Sequence, residues 1–210
     1  MRNARYLAIF AACTLLVIGC GVNKSIRIAD GETVNSGKAT VNGNVFIGVD
    51  CTVRGDCRTV NGGVTVGSGS EVGGLQSVNG SIKIAENVTV DGEVGPVNGS
   101  IRLAENISIE GDVETVNGSV FCKAGVVTTD DSPTVHGSLH LDRTQVGGNL
   151  GTVNGSMSLE DNSTVSGNVH IKGTPSRYGK KKAIEITISD VSVVEGDIIV
   201  RDPKRKVKVI

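Results

Sequence analysis

The chain has 210 residues, sets 21 basic against 22 acidic side chains, and carries 29 glycines but only 2% aromatic residues and no Trp. So little ring surface argues against a stacking track for single-stranded nucleic acid or a sugar cleft built on ring faces, and the near-neutral balance gives no basis for nucleic acid as a partner. Glycine at about twice its ordinary share, without the every-third-residue period of collagen, predicts frequent tight turns.

Residues 1–19 read as a signal peptide. Arg2 and Arg5 precede an apolar run, 7–18, that is too short to span a bilayer as a helix. The run ends in Val17-Ile18-Gly19-Cys20, which resembles a bacterial lipobox. The resemblance implies cleavage before Cys20, diacylglycerol on its sulfur and a further acyl chain such as palmitate on its amine, anchoring the chain to a membrane. Gly21, where an Asp would favour the inner membrane, points to the outer membrane. The alternative is an ordinary secretory signal in which Cys20 is incidental.

From residue 23 onward one repeat organises the sequence. VNKSI opens at Val22, and VNGNV, VNGGV, VNGSI, VNGSI, VNGSV, VHGSL and VNGSM follow at intervals of 18 or 19 residues. Eight copies at so narrow a period predict a solenoid. With the Asn as position 1, the copy from Asn98 to Val116 places Ile101, Leu103, Ile107, Ile109, Val113 and Val116 as inward aliphatics. Ile101 with Leu103 and Ile107 with Ile109 form pairs with the strand period of two, separated by short Gly, Asn or Glu segments suited to corners. Three short strands around three corners bury too little alone, but stacking them pairs each strand with its equivalents above and below. The predicted fold is an all-β, single-stranded parallel β-helix of about eight coils over residues 20–172. A 19-residue coil departs from the strict 18-residue period of left-handed helices, so the expected hand is right.

Asn23, Asn42, Asn61, Asn79, Asn98, Asn117 and Asn154 share position 1, where either a left-handed backbone or a bonding side chain suits the corner, and stacked amides can form a ladder. His136 interrupts it. With His140 and His170 at other positions, no metal site is read, and no cofactor or catalytic residue either, since nothing joins a nucleophile, a base and an orienting group. Cys51, Cys57 and Cys122 take inward positions as small hydrophobes, with a Cys51–Cys57 disulfide as an alternative. Asp130 and Asp131, in the copy that departs most from consensus, are the candidate surface site for a cation or a glycan hydroxyl; a plain outward loop bounded by Pro133 explains the same letters. Phe46 and Phe121 both fall at outward position 5.

Beyond residue 172 comes a polar loop with Lys180, Lys181 and Lys182, then renewed alternation over 184–188 and 193–200. Residues 173–210 therefore read as a basic loop and a wider C-terminal coil that caps the helix, keeping the full chain monomeric or in small oligomers. The segments VDGEV, VNGSI, IEGDV and VNGSV resemble those of bactofilins, polymer-forming bacterial proteins with a right-handed β-helical core. That resemblance, over residues 23–172, implies a noncatalytic scaffold that associates with itself; the lipobox places it in the cell envelope. An adhesin or a module binding envelope glycan or protein is the alternative.

Overall fold

A computed structural model describes residues 22–172, 183–201 and 206–210. The leader, Cys20 and the three consecutive lysines lie outside the described residues.

Every strand pairing is parallel and joins equivalent strands of successive coils. The first face has ten strands, from Ile26–Ile28 to Val207–Val209. The second has nine strands of two residues each, from Thr33–Val34 to Val193–Val194. The third runs as four strands, Lys38–Thr40 to Val94–Pro96, and then five, Thr115–Asn117 to Ile198–Val200. Only the bridge between Val94 and Val113 joins these two groups. The break falls where Pro96 has no N–H to donate to the next coil.

The expected β-solenoid and its period are thus what the chain adopts. Ile82, Ile101, Val120, Leu139 and Met157 stack in one register-locked row inside the first face, and each is at most 1% exposed. Aliphatic rests on aliphatic along the row, so the coil interior fills without aromatic residues.

The third strand differs from the sequence expectation. Val116 at position 19 is only half-buried, and Thr115 at position 18 takes the inward place at 2% exposure. The alternation begun at Val113 simply continues, since 16 and 18 share a face. The buried hydroxyl is satisfied within its own coil. Thr115 Oγ1 donates to the Gly99 carbonyl at 3.0 Å, as Thr59 does to Gly43 at 2.7 Å and Ser77 to Gly62 at 2.8 Å. This row of hydroxyls closes the triangle from inside.

Two corners place opposite demands on the backbone. At position 2 the coils approach so closely that a Cβ on Gly62 would collide with the Gly43 carbonyl oxygen. That closeness explains the Gly after the repeating Asn. At position 9 the chain turns through the left-handed region, with Gly31 at φ 72°, Asp50 at 53°, Asn87 at 58° and Asn106 at 56°. Gly, Asn and Asp are the residues that tolerate it.

The copy opened by Asn117 forms no outward loop. Ser132–His136 is a strand, with Thr134 in register with Thr115 and His136 with Asn117. The interval from Asn117 to His136 is still 19 residues, so there is no surplus chain to loop out.

The C-terminal segment adds a ninth coil. Ile184–Ile188 pairs with Met157–Glu160, and Ile184 and Ile186 are buried. This coil covers the one beneath it and is covered on the first face by Val207–Val209, and the outermost strands carry exposed apolar residues. Val193 is 48% exposed, Val200 42% and Val209 53%.

Candidate functional site

The asparagine ladder is continuous over six coils. Asn42 Nδ2 donates to Asn23 Oδ1 at 2.7 Å, Asn61 to Asn42 at 2.7 Å, Asn79 to Asn61 at 2.9 Å, Asn98 to Asn79 at 2.9 Å and Asn117 to Asn98 at 2.8 Å. None of these residues has a positive φ, so of the two readings of position 1 the bonding side chain is the one realised. Each amide from Asn42 to Asn98 donates to the coil before and accepts from the coil after. His136 stands beside Asn117 in register and is exposed. Asn154 lies beyond it at an exposed position.

Asp130 and Asp131 line a recess of about 360 Å³ with Glu93, Gly111 and Asp112. The carboxylates there also serve as lattice between coils. Asp112 Oδ1 accepts the Asp131 N–H at 3.1 Å, and Asp131 Oδ1 accepts both the backbone N–H of Asn149 at 2.7 Å and its Nδ2 at 2.9 Å. Asn149 Oδ1 in turn accepts the Asn168 N–H at 2.8 Å. Burial pushes the Asp112 carboxyl above its ordinary range, and neighbouring Asp131, Asp130 and Glu93 add to the rise against the opposing Asp131 hydrogen bond. Of the two sequence candidates, Asp131 therefore sits in a second polar ladder while Asp130 lines the recess beside it, and no group of three or more His, Cys, Asp or Glu among the described residues is arranged to hold a metal.

Cys51, Cys57 and Cys122 are buried free thiols, not a disulfide pair and a spare. Cys51 Sγ donates to the Ala29 carbonyl at 3.0 Å, directing it to the preceding coil. Burial pushes the Cys57 thiol up to about 11 and the Cys122 thiol up to about 12. Both are held neutral, as apolar fillers require.

The outward positions of the first face form another arrangement. Arg27, Phe46, Thr65, Lys83, Arg102 and Phe121 are in successive register, with His140 and Ser158 next. The Arg27 guanidinium lies 4.8 Å from the centroid of the Phe46 ring, and that of Arg102 lies 5.4 Å from the Phe121 ring. Phe121 and His140 stack with centroids 5.0 Å apart and planes 1° from parallel. His140 Nδ1 and Ser158 Oγ are 3.0 Å apart, which continues the row. Sequence reasoning placed both Phe rings outward but missed the cations between them. The signal was there at position 5 of each copy, legible once copies are aligned.

Comparison with protein-family models, with curated proteins and with solved structures found no match to this chain. Among the described residues no helix is long and apolar enough to cross a membrane.

Proposed function

We propose that the chain is a noncatalytic scaffold of the bacterial cell envelope, tethered by lipid on Cys20 and associating through its open end. The observation that carries this reading is the unblocked final coil. Val200 and Val209 are 42% and 53% exposed on strands whose outer edges pair with no other strand among the described residues, and such an edge is a template for another chain. The first and second faces are each one continuous sheet along the axis, which makes a rigid rod suited to a spacer or a filament element. The likeness of the repeats to bactofilins supports the same role, and the lipobox-like segment supports the anchor.

Light scattering coupled to size exclusion tests the association. The full chain in mild detergent is expected to form concentration-dependent oligomers that Val200→Asp with Val209→Asp reduces to monomers; a wild-type monomer at every concentration would sink the scaffold reading. Metabolic labelling with a clickable fatty acid tests the anchor, which requires label on the wild type and none on Cys20→Ala. Unlabelled wild-type protein would remove the membrane from the proposal.

A further inference from the structure

The outward row of the first face carries a line of cations. It sets Arg27, Lys83 and Arg102 in one line with no carboxylate among the position-5 residues from Arg27 to Ser158; Asp142 and Glu160, acids of this face, stand two residues further along their strands. None of the three cations is within ion-pair distance of a carboxylate among the described residues. The equivalent row of the second face reads Thr33, Thr52, Glu71, Thr89 and Ser108, with no cation. Cations elsewhere on the rod include Arg58 and Arg143, each paired with a neighbouring acid, whereas this line sets three without such a partner. On the parallel-strand spacing the line from Arg27 to His140 is about 29 Å long.

The rings do not offer their faces to a ligand. Phe121 has Arg102 against one side and His140 stacked against the other, and Phe46 carries Arg27. Their role is to prop the guanidinium groups, which limits the rotamer freedom that binding would otherwise remove. With ring faces occupied, the row has no platform for nucleic acid bases.

Beside the row, at position 3, runs a line of serines. Ser81, Ser100 and Ser119 each accept a backbone N–H from the following coil, at 3.2, 3.3 and 3.1 Å. Each hydroxyl keeps its own proton to donate. Positions 3 and 5 lie on the same side of a strand, so charge and hydroxyl donors form one track. On the other flank Asp30, Glu86 and Glu105 stand exposed at the corner. They steer an anion toward the serine side.

We propose that this track binds a linear anionic polysaccharide lying along the helix axis, with Arg27, Lys83 and Arg102 meeting its carboxylates and the serines meeting its hydroxyls. A row one residue wide fits a chain better than a membrane plane, and hydroxyl donors beside cations fit a uronate polymer better than a bare polyphosphate. The site makes no use of the open C-terminal coil. Val200→Asp with Val209→Asp therefore leaves binding intact even where it abolishes association, and the two proposals fail separately.

Fluorescence anisotropy of labelled polygalacturonate against the full chain in nonionic detergent gives the test, with dextran, phosphatidylglycerol vesicles and oligothymidylate as competitors. The Arg27→Gln/Lys83→Gln/Arg102→Gln variant is expected to bind about tenfold more weakly, with unchanged circular dichroism. Arg54→Gln/Arg201→Gln/Lys206→Gln removes the same charge elsewhere and is expected to bind like the wild type. Dextran should not compete. Equal losses in the two variants would reduce the effect to net charge, and no loss in the first would remove the site. Row-dependent capture by vesicles or by oligothymidylate exceeding that of the uronate polymer would overturn the assignment of the ligand.

Discussion

Thr128 is a buried hydroxyl with no hydrogen-bond partner, in the inward row between Ile109 and Val146. An unsatisfied buried hydroxyl costs more than the net worth of a made hydrogen bond, and Val has nearly the same shape. Thr128→Val is therefore expected to stabilise the fold by about 1 kcal/mol, read as a rise in the denaturant midpoint. Its neighbour gives the opposite case. Ile109 is 0% exposed between Val90 and Thr128, so Ile109→Asp buries an unpaired carboxylate and should cost about 4 kcal/mol or more. Circular dichroism during thermal melting would show both; equal behaviour of the two variants would mean that this row does not face inward. Val191 is a third residue-scale case, a β-branched residue at φ 57° and 84% exposed. Asn tolerates that backbone without loss of packing, so Val191→Asn should stabilise by about 1 kcal/mol in the same melt.

At the scale of the corner and strand, the Asp112 recess couples stability to pH. Burial raises the folded Asp112 carboxyl above its ordinary 3.8, so between the unfolded and folded titration points the native chain holds more protons than the unfolded one. Stability contributed by this group is present below that window and falls as pH rises through it. Asp112→Asn keeps an oxygen for the Asp131 N–H and removes the charge. Urea melts should find the variant more stable than the wild type at pH 7, with the difference shrinking as pH falls below the ordinary carboxylate range. A constant difference at all pH values would show that Asp112 ionises as freely when folded. At another corner, Gly62→Ala drives a methyl into the Gly43 carbonyl and should cost about 1–3 kcal/mol in denaturant.

For the whole molecule, nearest-neighbour stacking makes stability depend on where a coil sits. A central coil such as that holding Ile101 and Leu103 is paired on both sides, whereas the outer edge of the last coil is exposed. Hydrogen exchange is expected to be slowest for amides in 82–122 and fastest in 193–200, because ends fray before centres. Uniform protection along the rod would indicate one global cooperative unit, or an end covered by a partner.

Much of this was determined by the sequence alone. The interval of the Asn-Gly pairs and the alternation of Ile101 with Leu103 and Ile107 with Ile109 require parallel stacking, because no isolated coil of that size buries enough apolar surface to offset its ordering. The same repetition brings equivalent asparagines within bonding distance, so the ladder too was legible. What tertiary structure decided lies where neighbours, not period, set the outcome. The inward place fell to Thr115 in preference to Val116 because the alternation ran on to a position where a hydroxyl could reach the Gly99 carbonyl. Asp131 joined a polar ladder because Asn149 and Asp112 came within reach one coil away. Likewise the props of Phe46 and Phe121 under Arg27 and Arg102 arise only when residues 19 apart in the chain are set one strand spacing apart in space.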